Sequence, residues 1–418
     1  MRRDMNPLHL DSGLRRNDEI LNLLADRRCT FRTGYFLPPH GVKYPVRGSF
    51  GADSMKRRLN FSLAHSIRAC RRLTAQAHSN FAPAFALLPT AKRQAMEILY
   101  AYTRFTDDLA DLPDVGPKGK IIEITPRRRR QKLNQWVGAL EAVLGKIGSD
   151  TEPPIHPKDK KAFQDLAEQF PGCSGLVFLP ALKMIVDKYQ IPREPLFHLI
   201  DGIESDIEPK PFATIEDSVE YCHQVATSVG FATLAIWGTT EPLFSEPVVK
   251  AAKACGVAFQ WTNIVRDMGE DYRNGRIYLP QLEFQRFGLT EKQFGAILDG
   301  ANWAAQKRSL KKGGHPGFFA SRDTGGEMRK LETRFLKLVD QQLHRCEVYY
   351  ENSLPLYYLI HRDSRRAFGL MWNYYYSLFR KIRRNPLLTT QEPRVRLSFS
   401  KKFRLWFTWR FMPHRKLR

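Results

Sequence analysis

The chain reads as all-α. Long segments place apolar residues at helical spacing, runs that alternate as a strand would are scarce, and 43% of the 418 residues are hydrophobic. That pattern predicts a mostly helical single domain of roughly 300 residues or more, large against ordinary domains. No run of about 18 apolar residues occurs, so no transmembrane helix is expected. The N-terminus lacks the apolar core of a secretory signal, and a cytoplasmic protein is the default expectation.

The elements follow in order. Residues 1–54 lack periodicity, and RTGYFLPPHGVKYPVRGSFGADS is rich in Gly and Pro. This leader is expected to be disordered, or translation starts at Met55. KRRLNFSLAHSIRACRRLTAQAH, after Met55, is a basic amphipathic helix. The helical core begins near Phe81 and runs on through LLPTAKRQAMEILYAYTRFTDDLAD, with Thr90 after Pro89 as the expected cap. LPDVGPKGKIIEITPRRRR and IGSDTEPPIHPKDK break the pattern as loops. Helices resume near 160 and continue through ALKMIVDKYQ, REPLFHLIDGIESDI, IEDSVEYCHQVATSVGFATLAIWG and PVVKAAKACGVAFQWTNIVRDMGEDY. RNGRIYLP, with Gly275 and Pro280, ends that series, and residues 311–326 read as a surface insertion. The expected division is a leader over 1–54, a catalytic domain over 55–385 and a basic aromatic tail over 386–418.

The formal charge is +23. Residues 1–55 hold nine Lys/Arg against six Asp/Glu, residues 394–418 hold nine against none, and the remaining +11 lies between. Such a surface suits nucleic acid, anionic lipid or polyanionic substrates such as diphosphates. Six cysteines (Cys29, Cys70, Cys173, Cys222, Cys255, Cys346) show no metal-ligand spacing and read as reduced, buried or incidental.

Against this basic background, two apolar helices carry acids. At about 100° per residue, Arg104, Asp107, Asp108 and Asp111 all fall within about 80° of Tyr100. From Gln260, Asn263, Asp267 and Asp271 fall within about 60°. Met96, Leu99, Tyr102, Phe105 and Leu109 flank the first stripe, and Val257, Phe259, Ile264 and Val265 the second. Helices apolar on most sides are buried, so these acids are expected to face a cavity or to need partners. Arg104 and Arg266 are at hand to neutralise some. Hard divalent cations shared with a diphosphate would do more, because Mg²⁺ prefers oxygen ligands and keeps waters. A single pair of aspartates four residues apart is ordinarily a solvated surface feature. Two such pairs, each preceded by in-phase polar groups, leave metal-assisted chemistry and plain structure both open.

Three segments resemble the squalene/phytoene synthase family of head-to-head prenyl synthases. YAYTRFTDDLAD (100–111) is similar to its first aspartate-rich motif, QWTNIVRDMGEDYRNGRIYLP (260–280) to its second, and YCHQVATSVG (221–230) to a third signature. The resemblance implies an all-α isoprenoid synthase-type bundle around a central cavity, and two prenyl diphosphates, farnesyl or geranylgeranyl, as substrates. It implies Mg²⁺ as cofactor, with Mn²⁺ as the alternative. By motif position, Asp107, Asp111, Asn263, Asp267 and Asp271 correspond to metal-binding residues. Tyr100, Arg104, Tyr221, Gln260 and Arg266 correspond to residues lining the diphosphate and reaction region, and Asp108 to a supporting acid.

The implied reaction ionises one diphosphate to an allylic cation, which the C2–C3 double bond of the second substrate attacks. Proton loss then closes a cyclopropyl product. An apolar cavity with a charged rim would shield that cation from water. Tyr100 and Tyr221 would orient phosphate or stabilise positive charge, or simply pack as core tyrosines. Departures from the family pattern include Leu112 where relatives often carry an acid, Asn80 for Ser, and Trp261 for Leu. Asp201, Glu204, Asp206 and Glu208 read as helix-end charges paired with basic neighbours. No strand followed by GxGxxG is present, and a need for NADPH stays open.

In the tail, Phe399, Phe403, Trp406 and Phe407 share helical spacing with Lys401, Lys402, Arg404 and Arg410. This suits peripheral association with an anionic membrane; a tail packed on the bundle is the alternative. Nucleic-acid binding is not expected, since no nucleic-acid motif accompanies the charge. Two other functions compete with the condensation: a terpene cyclase acting on one diphosphate, and a non-catalytic membrane-associated homologue.

Overall fold

The computed structural model describes residues 61–77, 81–111, 114–115, 121–122, 124–147, 155–170, 173–299, 324–390, 394–412 and 417. The leader over 1–54, Met55, Asn80 and most of the 311–326 insertion lie outside the described residues. The helices labelled here are α1 (Leu63–Gln76), α2 (Thr90–Asp111), α3 (Pro126–Leu144), α4 (Lys160–Gln169), α5 (Leu179–Tyr189), α6 (Arg193–Ser205) and α7 (Ile215–Cys222). They continue with α8 (Ser228–Trp237), α9 (Glu246–Arg273), α10 (Gln281–Arg286), α11 (Glu291–Asp299), α12 (Thr324–Ser353), α13 (Arg365–Arg384) and α14 (Phe399–Phe411). The all-α expectation holds. Among the described residues the strands are a two-stranded antiparallel ribbon, Asp114–Val115 with Ile121–Ile122, inside the stretch read as a loop.

Local chemistry explains the helix ends. Ser62 caps α1 by accepting the His65 N–H at 3.4 Å, and Thr125 caps α3 by accepting that of Arg128 at 3.3 Å. Thr90 is not a cap. Pro89 accepts the first helical bond from Arg93, so α2 begins at Thr90 itself. On α1, Ser66, Cys70, Leu73 and Thr74 share the buried face that meets α2 and α5.

Two long helices frame the interior. α2 packs on α1, α3, α5, α6 and α8, and it is pinned near its start and at its middle. Lys92 Nζ donates to the Trp237 carbonyl at 2.6 Å and meets Asp363 at 2.8 Å, while the Tyr102 hydroxyl donates to the Leu196 carbonyl at 2.6 Å. α9 lies along α12 in the most extensive helix pair among the described residues. α8 touches both α2 and α9, so it bridges the two acidic helices.

The segment between α7 and α8 winds as a π-helical turn over His223–Thr227. This turn presses on α9 at Gly256, where a Cβ would stand 2.3 Å from Thr227 Oγ1 and 2.8 Å from Thr227 Cα. Glycine is what allows the two backbones to approach. π turns are costly and recur at functional sites; this one falls inside the YCHQVATSVG segment.

The tail is folded. α14 lies on α13, with Leu405, Trp406 and Trp409 buried. Trp406 therefore belongs to the core, not to the outward aromatic stripe on which its spacing had placed it. Five cysteines, Cys70, Cys173, Cys222, Cys255 and Cys346, are free and buried as expected, and Cys29 is outside the described residues. Among the described residues no helix is long and apolar enough to cross a membrane.

Candidate functional site

On α2, the first stripe forms an ion cluster. Arg104 lies 2.6 Å from Asp108 and 3.7 Å from Asp107. Burial works against the Arg104 charge, but Asp108 and Asp107 outweigh it and raise its pKa. Both acids find a partner in Arg104, but at different depths. The Asp107 side chain is 51% exposed and stands at the rim, whereas Asp108, expected only to support, is 9% exposed and holds the arginine. Asp111 closes α2, and its side chain lies outside what the structure describes. Tyr100, one turn before Arg104, meets Phe85 edge-on at 6.3 Å.

The second stripe is deeper. Arg266 grips Asp267 through two of its guanidinium nitrogens, with Nε to Oδ1 at 2.7 Å and Nη2 on Oδ2. The aspartate's bond and charge raise the Arg266 pKa despite burial. Asn263 donates to the Gln260 side-chain carbonyl at 3.2 Å, and its own Oδ1 is buried with no hydrogen-bond donor among the described residues. Asp271 is half-buried and makes no ion pair among the described residues. Burial and then the Asp267 charge push its carboxyl up to about 8, against the pull of Arg276.

A third acid joins it. The turn after α9 is made by Gly275 at φ 74, with the Arg276 N–H returning to the Asp271 carbonyl at 2.8 Å. This reversal carries Arg276 and Tyr278 back toward the end of α6. There Asp206 accepts from Tyr221 OH at 2.8 Å and from Tyr278 OH at 2.9 Å, and its backbone carbonyl accepts from Arg276 at 3.3 Å. The two tyrosine rings stack at 5.0 Å. Burial and the Asp206 charge raise the pKa of Tyr221 well above the usual phenol range, so it stays a donor. Asp206 in turn contributes to the rise at Asp271. Of the 201–208 acids, Glu208 pairs with Arg130 as a helix-end charge should, but Asp206 belongs to the site.

An aromatic wall stands beside the charges. Tyr375 of α13 stacks on Phe259 at 4.5 Å and on Phe81 at 5.5 Å, and its hydroxyl feels both Arg266 and Asn263. Gly230 in α8 faces open space, since a Cβ there would meet no atom within 4 Å. Trp261 is fully buried. From the far end of the chain, Arg394 reaches Asp267 at 3.8 Å and Glu270 at 3.6 Å.

Sequence reasoning missed Asp206 as a site residue, Tyr278, Tyr375 and Arg394. Tyr278 and Arg276 sit within RNGRIYLP, where the glycine turn was a usable signal. Arg394 had none, because it lies in the stretch assigned to the tail.

Metal fit can be tested on the second stripe. Its ligand atoms are all oxygen, and among the described residues Asn263 Oδ1 is buried without a hydrogen-bond donor and the Asp271 carboxyl has no cationic partner in contact. Those residues suit a hard cation. Among the described residues no three His, Cys, Asp or Glu side chains converge on one point, so the protein alone would fill only part of a shell. A Mg²⁺ ion that keeps waters and takes phosphate oxygens needs no more.

Residues 74–310 match the family described as squalene/phytoene synthase. The chain belongs to that family. It is 32% identical over 235 residues to a phytoene synthase of Arthrospira platensis, covering 54% of this chain and 64% of that one. It is 29% identical over 247 residues to a 15-cis-phytoene synthase of Synechococcus elongatus, covering 57% and 68%. Against the chloroplastic phytoene synthase of Daucus carota the identity is 30%, over 58% of this chain and only 52% of the relative's length. The fold is shared with a dehydrosqualene synthase solved with a ligand, at TM-score 0.55 and 24% identity, over 86% of this chain and 98% of that one. It is also shared with a squalene synthase from Alicyclobacillus acidocaldarius, at TM-score 0.54 and 21% identity, over 77% and 94%. These likenesses establish the isoprenoid synthase fold.

Proposed function

We propose that the protein is a prenyltransferase that condenses two prenyl diphosphates head to head, through a cyclopropyl diphosphate, with Mg²⁺ as cofactor. The observation that carries this reading is the second stripe. Asn263, Asp267 and Asp271, with Arg266 and Arg276, form a charged rim directly beside the Phe259–Tyr375–Phe81 stack.

The rim and the wall have different tasks. Mg²⁺, when bound, neutralises the departing diphosphate so that the allylic C–O bond breaks with its electron pair on oxygen. Arg104 and Arg266 are fixed by their carboxylates before substrate arrives, so their remaining N–H groups need little reorganisation to meet phosphate oxygens. The aromatic faces of Tyr375 and Phe259 exclude water and present negative π density to a carbocation. Tyr221 and Tyr278 orient the Asp206 carboxylate near Asp271. The open space at Gly230 gives room for a prenyl chain between α8 and its neighbours.

A phytoene-type reaction on two C20 geranylgeranyl diphosphates is supported by the names of the relatives matched over half the chain. A squalene-type reaction on two C15 farnesyl diphosphates is the competing form. The deciding experiment incubates purified protein with each diphosphate separately, with Mg²⁺, with and without NADPH, and weighs the products. A C40 hydrocarbon formed only from the C20 substrate without NADPH supports the phytoene-type reading. A C30 product from the C15 substrate overturns the chain-length choice, and a cyclised product from a single diphosphate overturns the condensation.

A further inference from the structure

α14 has no ordinary polar face. Leu405, Trp406, Thr408 and Trp409 lie on one side and are buried. Gly369 of α13 makes the seat for Trp409, since a Cβ there would stand 2.2 Å from the indole ring. The opposite side should be charged in a surface helix. Instead it carries Phe399, Phe403, Phe407 and Phe411, spaced four apart, with successive ring centroids at 6.4, 6.3 and 4.7 Å. Phe399, Phe407, Phe411 and the adjoining Met412 are each about half exposed, while Phe403 between them is partly buried against the bundle. An exposed apolar ridge of this kind marks an interaction surface.

The cations define the partner. By helical count, Arg404 and Arg410 fall on the same outward half as the phenylalanines, and both are exposed. Arg410 lies over the Phe411 ring at 5.3 Å. Residues 394–412 hold six Lys/Arg and no acid. A second copy of the chain would bring the same positive charges against these, so self-association through this face is opposed. An anionic lipid surface complements both the charge and the rings.

We propose that the outward face of α14 is an interfacial docking surface, which seats the Phe399–Phe403–Phe407–Phe411 ridge at the acyl boundary of an anionic bilayer and sets Arg404 and Arg410 against lipid phosphates. Docked through this face, α14 lies along the membrane surface. Docking needs no unfolding of the tail, because the residues that hold α14 to the bundle, Trp406 and Trp409, are on its other side. This inference stands independently of the reaction proposed above, and its test uses no substrate.

The test is co-sedimentation of the full-length protein with vesicles of phosphatidylcholine alone or mixed with phosphatidylglycerol, over a salt series. Two variants are compared with the unaltered chain, Phe407→Ser/Phe411→Ser and Arg404→Gln/Arg410→Gln. The serine pair should lower partitioning into the anionic vesicles about tenfold or more at every salt concentration, because it removes the inserted apolar area. The glutamine pair should lower it roughly fivefold per charge at low salt, an effect that fades as salt rises. Thermal midpoints should match the unaltered chain for both. Equal partitioning by all three proteins, or binding indifferent to lipid charge, overturns the proposal. A dimer seen by sedimentation velocity and lost in the serine pair would assign the ridge to a second copy and overturn it as well.

Discussion

The Asp206 clasp offers a sharp test of how the site is built. Tyr221 and Tyr278 donate to opposite oxygens of one carboxylate, at 2.8 and 2.9 Å. Tyr221→Phe or Tyr278→Phe deletes one donor and keeps the ring, so the 5.0 Å stack survives. A hydrogen bond to a charged group contributes about 1.5–3 kcal/mol, and the low end applies because Asp206 is only half-buried. Each single variant should therefore lose about 1.5 kcal/mol of stability. With Asp206 freed to rotate away from Asp271, each should also lose about tenfold in turnover, the rate equivalent of about 1.4 kcal/mol. The two changes share one acceptor, so the double variant should depart from additivity by about 0.5 kcal/mol or more. Denaturant unfolding gives the stabilities, and product formation from labelled prenyl diphosphate at saturating Mg²⁺ gives turnover. Normal turnover in a double variant that has lost stability would show the clasp to be structural only. Normal turnover with normal stability would refute the hydrogen bonds themselves.

Other outcomes follow from the same geometry. Asp107→Asn and Asp267→Asn should both abolish product formation, but with different stabilities: Asp107 is half exposed and its loss should cost under about 1 kcal/mol, whereas Asp267→Asn strands the buried Arg266 and should cost about 3 kcal/mol by thermal or denaturant melts. Gly256→Ala places a methyl 2.8 Å from the Thr227 backbone and should destabilise the protein by about 1–3 kcal/mol, with a drop in turnover as the π turn is pushed off α9. Glu283 of α10 is buried among Arg345, at 2.7 and 3.0 Å, and Gln342, at 2.7 Å, and these partners outweigh burial to lower its pKa. Its contribution is therefore present above the usual glutamate pKa and is lost as pH falls through the lowered folded value. Acid unfolding should show a step that Glu283→Gln removes, and an unchanged acid limb would refute the assignment.

What the sequence made legible, and what it did not, divides along contact range. The helical class, the apolar faces of α2 and α9, and both acidic stripes follow from a local 3.6-residue period. They are readable because a helix turns sequence spacing directly into a face. Reading which acids point inward required more. Asp107 and Asp108 are neighbours in sequence, yet one stands at the rim and the other is buried beneath a half-exposed Arg104. The placement of α3, α5 and α8 around α2 decides that, and no property of the acids themselves does. The setting of Asp206 was illegible for the same reason. At the end of α6 it looks like Glu208, which does pair with a surface arginine. It differs only because Gly275 turns the chain after α9 and delivers Tyr278 from 72 residues away. The tail shows the point at its largest scale. Its composition announced an aromatic, basic surface, but Trp406 and Phe407 are adjacent and face opposite ways, one into the core and one outward. Only the docking of α14 on α13, made possible by the glycine beneath Trp409, sorts the rings that hold the tail in place from those left to meet something else.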